Sequence, residues 1–200
     1  MKDPLMKLGV LGGTFDPVHI GHLLFAERAR EQLGLERVLW VPAGNPWRKR
    51  ARKVSAAEQR LEMVRLAIQG DGAFELCAIE MERSGPSYTG ETLEALRRRY
   101  GDGEWILLLG GDALVDLPNW REPGKLLELA TLAVVRRGGQ VLVELEALLP
   151  GLSKRVVWVD MPRIDISGTE LRRRAAAGQS IRYAVPAEVE AYIRRERLYM

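Results

Sequence analysis

Uninterrupted apolar runs alternate with segments of helical spacing along the whole chain, and that alternation limits the fold more than any single motif does. LGVLGG (8–13), RVLWVP (37–42), FELCAIEM (74–81), EWILLLGG (104–111), TLAVVRR (131–137) and RVVWVD (155–160) read as strands. They are continuous apolar runs rather than half-polar alternations, so the sheet is expected to be covered on both sides. Helical spacing fills the intervals. Leu23, Ala26, Ala29 and Leu33 share a face that ends at Gly34, and Ala57, Leu61, Val64 and Ile68 follow a capping box of Ser55 and Glu58. Thr89–Tyr100 turns Leu93, Leu96 and Tyr100 inward, and Lys125–Ala130 forms a short helical patch. SGTELRRRAAAG (167–178) closes at Gly178, and PAEVEAYIRRE (186–196) carries Val185, Val189 and Ile193 at i, i+4 and i+8. Together these predict a doubly wound α/β fold with a mostly parallel sheet and helices on both faces.

Ligands in such folds lie beyond the carboxyl ends of the strands, near the point where strand order reverses. The chain's strongest punctuation falls there. Gly12, Gly13 and Thr14 follow the first strand and open a helix, where backbone N–H groups and a positive helix end suit phosphate. His19 and His22, the two histidines of the chain, come next; at i and i+3 their β-carbons are expected about 5–6 Å apart on one face of the first turn. Gly21 between them leaves backbone open to a ligand. Two other readings of the pair stand beside this one: half of a metal site, completed by carboxylates, or two unrelated surface histidines. The spacing is neither the dinucleotide G-x-G-x-x-G nor a P-loop.

Composition narrows the class. The chain has 200 residues, 46% hydrophobic and 28% charged, with a net charge of +3, as a soluble globular protein would. No internal repeat or linker divides it, so one domain over 1–200 is expected. A lone cysteine, Cys77, excludes an internal disulfide and suits a reducing cytoplasm, and no apolar run is long enough to span a bilayer. The arginines fall in short groups (97–99, 172–174, 194–195), which favours a small anionic ligand over a nucleic-acid stripe. Trp40, Trp105 and Trp158 lie inside strand patterns and are expected in the core, whereas Trp120 follows Pro118 and Asn119 in a loop.

GGTFDPVHIGH (12–22) resembles the T/HxGH signature of the nucleotidyltransferase superfamily, and ISGTELR (166–172) resembles its second signature, ISxTxxR. GPSYT (85–89), GGDAL (110–114), LPNW (117–120) and VVRRGG (134–139) stand between them in the order seen in bacterial nicotinate-nucleotide adenylyltransferases. The resemblance runs from about Lys7 to the terminal LY, which implies that 1–6 are a non-core extension and makes Met6 a candidate start. It implies a Rossmann-like nucleotidyltransferase fold and transfer of the adenylyl group of ATP to nicotinate mononucleotide, giving deamido-NAD and pyrophosphate. It also implies magnesium accompanying ATP, with no protein ligand assigned, and small-molecule substrates rather than nucleic acid or membrane.

Carried over residue by residue, the resemblance makes His19, His22, Lys49 and Arg172 catalytic. Gly12, Gly13, Thr14, Phe15, His22, Gly110, Asp112, Ile166, Ser167, Thr169 and Arg172 then contact ATP. Asp16, His19, Lys49, Tyr88, Thr89, Trp120 and Arg137 contact nicotinate mononucleotide, with Trp120 against the pyridine ring. Thr89 reads as the N-cap of its helix, whose free N–H groups favour a carboxylate over an amide. The loop string Pro46-Trp47-Arg48-Lys49 keeps the cation of the family's Pro-Pro-His-Lys-like pattern but departs from it at 47 and 48. Another adenylyl- or cytidylyltransferase of the superfamily, or a non-catalytic nucleotide-binding regulator, remains an alternative, and oligomeric state is not encoded in these patterns.

Overall fold

The computed structural model describes residues 6–46, 54–135 and 140–200. Within them lie six strands: β1 (Lys7–Gly13), β2 (Arg37–Pro42), β3 (Phe74–Leu76), β4 (Glu104–Leu109), β5 (Thr131–Val135) and β6 (Val156–Val159). The helices are α1 (Ile20–Leu33), α2 (Ala57–Ala67), α3 (Thr89–Tyr100), α4 (Gly111–Asp116), α5 (Pro123–Leu129), α6 (Gln140–Leu148), α7 (Gly168–Ala176) and α8 (Ala187–Arg195). The strands form one sheet in the order β3-β2-β1-β4-β5-β6, and β1–β4, β4–β5 and β5–β6 pair in parallel. Strand order therefore runs outward in both directions from β1 and β4, the doubly wound arrangement expected from the alternation. Gly12-Gly13 and Gly110 stand at the ends of those two strands.

By contact the chain forms two compact units. One comprises Met1–Gly12, Phe25–Leu39 and Tyr88–Met161. Its core is the parallel sheet itself: Leu8 and Val10 of β1, Ile106 to Leu108 of β4 and Leu132 to Val134 of β5 are all buried. Leu93 and Leu96 of α3 and Leu126 of α5 are buried as well, and at the surface Lys125 pairs with Glu94 at 2.7 Å. The Gln32 side chain exchanges two hydrogen bonds with the backbone of Asp160, at 2.7 and 2.9 Å, which ties α1 to the end of β6.

The other unit comprises Gly13–Leu24, Trp40–Ser87 and Pro162–Met200. Trp40, Met63, Val64, Val189 and Ile193 form its apolar interior, with the Trp40 ring 5.6 Å from that of Phe74. Charged side chains join them: Arg60 is 1% exposed, and Asp16 and Glu80 are buried as well.

Local expectations differ from the structure in several places. The third strand stops at Leu76 rather than Met81; the Cys77 amide still bonds to the Trp40 carbonyl at 2.9 Å, after which a turn closes from Met81 N–H to the Ala78 carbonyl at 2.8 Å. Ser55 and Glu58 do not cap α2. The helix starts one residue later, and the Gln59 side chain accepts from the amide of Ala56 at 3.2 Å. Tyr88, not Thr89, is the N-cap of α3, because it keeps extended backbone while Thr89 is already helical. Trp158 is half-buried, since β6 is the edge strand of the sheet, and Tyr100 and Leu61 are also only half-buried. Val185 is buried but precedes α8. Helices α4 and α6 were not anticipated.

Candidate active site

The glycine-rich bend owes its shape to the residues just beyond it. After β1 the chain passes through Phe15, whose φ of 49° is a left-handed conformation that bulky residues rarely adopt. The side chain offsets that cost by burial: Phe15 is 2% exposed, with its ring edge-on to His22 at 5.1 Å and tilted against Trp40 at 5.5 Å. Val18, fully buried, anchors the next turn, and α1 begins at Ile20. His19 therefore precedes the helix and His22 lies in its first turn, a correction to the expectation that both are helical.

This offset brings the two rings face to face. Their centroids are 3.6 Å apart and the planes 24° from parallel, and the His19 amide donates to Nδ1 of His22 at 3.2 Å. An acceptor at Nδ1 puts the proton of a neutral His22 on Nε2, where it can be donated outward. His19 is nine-tenths buried; burial lowers its pKa from 6.5 to about 4, against an opposing backbone hydrogen bond, so it is neutral at pH 7. Its Nδ1 is buried with no hydrogen-bond partner among the described residues. A β-carbon at position 21 would stand 3.1 Å from that Nδ1, so Gly21 makes room for the His19 ring rather than for a ligand alone.

The second signature meets the first. Arg172 Nη1 donates to the Asp16 carbonyl at 2.7 Å and Nη2 to Thr169 Oγ1 at 3.1 Å. Gly168 permits this, because a β-carbon there would lie 3.0 Å from the Asp16 carbonyl oxygen and 3.3 Å from Arg172 Nη1. Ser167 caps α7 by accepting from the Glu170 amide at 3.2 Å, and Ile166 beside it is half-buried. One unit thus holds Gly13, Thr14, Phe15, Asp16, His19, His22, Ile166, Ser167, Thr169 and Arg172. The chemistry available is that of hydrogen-bond donors and the Arg172 guanidinium around the end of β1, suited to anionic oxygens.

The remaining expected residues belong to the sheet unit. Gly110 caps α4, Asp112 is exposed in its first turn, and Gly12 is exposed at the end of β1. Trp120 is half-buried after a short 3-10 turn, with Nε1 donating to Asp116 Oδ2 at 3.2 Å. The guanidinium of its neighbour Arg121 lies 4.5 Å over the Tyr88 ring and pairs with Glu91 at 3.2 Å, so Tyr88, Thr89 and Trp120 are neighbours in one unit. Lys49 and Arg137 lie outside the described residues.

Two residues of the site went unread in the sequence. Arg60 spends its donors on three backbone carbonyls: Ser55 at 3.0 Å, Thr14 at 3.0 Å and Gly44 at 3.3 Å. Burial lowers its pKa, and the charge of Asp16 opposes that shift. Tyr199 donates to Asp16 Oδ1 at 2.8 Å. Position 60 sits three and four residues before buried Met63 and Val64, a spacing that marks it as inward-facing; Tyr199 falls in the terminal LY where the resemblance ends, with no spacing that marks a role.

Known proteins share both sequence and architecture with this chain. Residues 10–174 match the cytidylyltransferase-like family. A protein of Thermomicrobium roseum named "Probable nicotinate-nucleotide adenylyltransferase" is 45% identical over 198 residues, covering 98% of this chain and 92% of that one. One of the same name from Roseiflexus sp. (strain RS-1) is 46% identical over 194 residues, covering 96% and 97%. Among solved structures, the Plasmodium falciparum nicotinic acid mononucleotide adenylyltransferase complexed with NaAD superposes with a TM-score of 0.79 at 17% identity, covering 97% of each chain, which is a likeness of fold.

Proposed function

The chain belongs to the nicotinate-nucleotide adenylyltransferases of the cytidylyltransferase-like family, and we propose that it performs their reaction with the residues gathered after β1 and at the start of α7. It transfers the adenylyl group of ATP to nicotinate mononucleotide. A phosphate oxygen of the mononucleotide forms a bond to the α-phosphorus of ATP, the bond from that phosphorus to the bridging oxygen breaks, and pyrophosphate leaves with the electron pair. The nucleophile is already ionised at neutral pH, so alignment and charge stabilisation are what the protein must supply.

The observation that supports these roles best is the Arg172 bond to the Asp16 carbonyl, which joins both signatures at one point. In our reading His22 donates from Nε2 to an oxygen of the reacting α-phosphate. His19, kept neutral by burial, adds a donor without adding charge. Gly12, Gly13, Thr14 and Phe15 line the phosphates, and Ser167, Thr169 and Arg172 hold the β/γ end, with Ile166 alongside. Gly110 and Asp112 take the adenosine ribose. Asp16, Tyr88, Thr89 and Trp120 are assigned to nicotinate mononucleotide by the resemblance; Lys49 and Arg137, assigned in the same way, lie outside the described residues. Magnesium would accompany the triphosphate, held by phosphate oxygens and water. The described residues offer no group of three or more His, Cys, Asp or Glu that could hold it, and no step here is routed through it. Among the described residues no helix is long and apolar enough to cross a membrane, and the single cysteine, free and buried, supports a cytoplasmic setting.

Pyrophosphate release from ATP tests the reading. It is expected only when nicotinate mononucleotide is present, with kcat/KM for the acid nucleotide at least about tenfold above that for the amide, since 1.4 kcal/mol is one decade. The physical reason is the start of α3: its free N–H groups at Thr89 and beyond attract a carboxylate, whereas an amide NH₂ would oppose donor to donor. Equal turnover of the two nucleotides would demote the acid assignment, and release without either would remove the reaction.

A further inference from the structure

Asp16 is a carboxylate in an unusual position. It is 4% exposed, yet only one of its oxygens is engaged by a described hydrogen bond: Oδ1 accepts from Tyr199, and Oδ2 is buried without a partner among the described residues. Buried charges are ordinarily paired or fully hydrogen-bonded. Here the Arg60 guanidinium provides compensating charge while its own donors go to the carbonyls of Thr14, Gly44 and Ser55. The result is a carboxylate held at one oxygen with a spare acceptor at the other.

The donor at Oδ1 comes from 183 positions away, and the chain makes a deliberate path to deliver it. After α8 the backbone turns back through two non-glycine residues in left-handed conformation, Arg197 at φ 52° and Tyr199 at φ 70°. Such conformations persist where surrounding contacts over-determine them. Leu198 between them is buried, and its amide bonds to the Ile193 carbonyl at 2.9 Å. The phenol also lies 3.8 Å from Met63 Sδ, so the hydroxyl ends among buried groups. Burial first, then the adjacent Asp16 charge, raise its pKa well above the ordinary tyrosine value, and it remains a donor throughout the working pH range.

We propose that Tyr199 is a positioning residue for nucleotide recognition: by occupying Oδ1 it fixes the rotation of the Asp16 carboxylate and reserves Oδ2 for a hydroxyl of the bound mononucleotide. This rests on the proposed function, in which Asp16 belongs to the nicotinate-nucleotide site. The ring of Tyr199 supports packing, and the hydroxyl alone carries the positioning. Tyr199→Phe separates the two, since it keeps the ring and removes the hydroxyl, with its bonds to Asp16, Ser55 and Met63.

The test uses the full chain and steady-state pyrophosphate release for wild type, Tyr199→Phe, Asp16→Asn and the double variant, each checked by thermal melting. Tyr199→Phe is expected to raise KM for nicotinate mononucleotide about tenfold while KM for ATP stays within about twofold, a split that general loosening would not produce. In the Asp16→Asn background the same substitution should add less than about twofold, because a residue acting through Asp16 has nothing left to act on. Equal rises in both KM values, an unchanged KM for the mononucleotide, or fully additive effects would each overturn the proposal while leaving the reaction intact. A wild-type protein without mononucleotide-dependent release would overturn the functional reading, and this proposal with it.

Discussion

The backbone amide of His19 donates to Nδ1 of His22 at 3.2 Å, so the peptide itself selects which nitrogen of the second histidine carries the proton. On the proposed reading, a side chain oriented in this way would serve the transition state more than the ground state, because the charge it meets would develop only as the phosphoryl group moves. His22→Ala is expected to lower kcat by about 100- to 1000-fold, or roughly 3–4 kcal/mol, with little loss of ATP affinity. Single-turnover kinetics beside equilibrium ATP binding would show it. An unchanged kcat would remove His22 from the reacting centre.

Arg172 serves two partners at once, the Asp16 carbonyl and Thr169 Oγ1, through separate nitrogens of one planar fork. Lysine keeps the charge but cannot reproduce that fork. Arg172→Lys should reduce kcat/KM for ATP by about 10- to 100-fold, the worth of one charge-assisted hydrogen bond at roughly 1.5–3 kcal/mol. A reduction smaller than about threefold would mean that charge alone suffices at this position.

The Trp120 indole donates from Nε1 to Asp116, and the ring is half-buried. Its stacking on a pyridine ring would be made in ground and transition states alike, so Trp120→Ala is expected to raise KM for the mononucleotide by about 1–3 kcal/mol in binding, by analogy with base stacking. ATP affinity should hold. A lowered melting temperature with normal KM would show that the ring serves the fold instead.

His19 makes folding sensitive to acid. Its pKa is lowered from 6.5 to about 4 by burial, so between those values the unfolded chain binds a proton that the folded chain refuses. Stability therefore falls as pH drops through this window, by about 2 kcal/mol between pH 6.5 and 5 from this group. Urea unfolding of wild type and His19→Gln at pH 7 and pH 5 would expose the difference, since the variant lacks the titrating ring. Identical pH dependence in the two proteins would contradict it.

Continuous apolar runs and glycine punctuation made the sheet legible: β2, β4, β5 and β6 fall inside the stretches that predict them, and β1 begins one residue earlier, at Lys7. Boundaries set by single hydrogen bonds were not. The cap of α2 is chosen between Ser55 and Ala56 by where Gln59 can reach, and β3 ends early because a turn at Ala78 competes with the ladder. The histidines, Arg172 and Trp120 stand out in the sequence because their motifs are local, and the structure brings Arg172 to the Asp16 carbonyl beside the histidine motif. Arg60 was hidden by its charge, which suggests a wet face until its carbonyl partners are seen; Tyr199 was hidden by distance, its partner lying near the other end of the chain.

Phe15 shows why this bend is not built from glycine throughout. Glycine at position 15 would accept a φ of 49° at no steric cost, but it would surrender the ring that wedges between His22 and Trp40. With phenylalanine, the conformational entropy of residues 13 to 16 is lost when the chain folds rather than at each encounter with a ligand. The bend is then preorganised: on the proposed reading, two anions would meet donors already in place, and the free energy of their binding would be left for aligning the reacting oxygens.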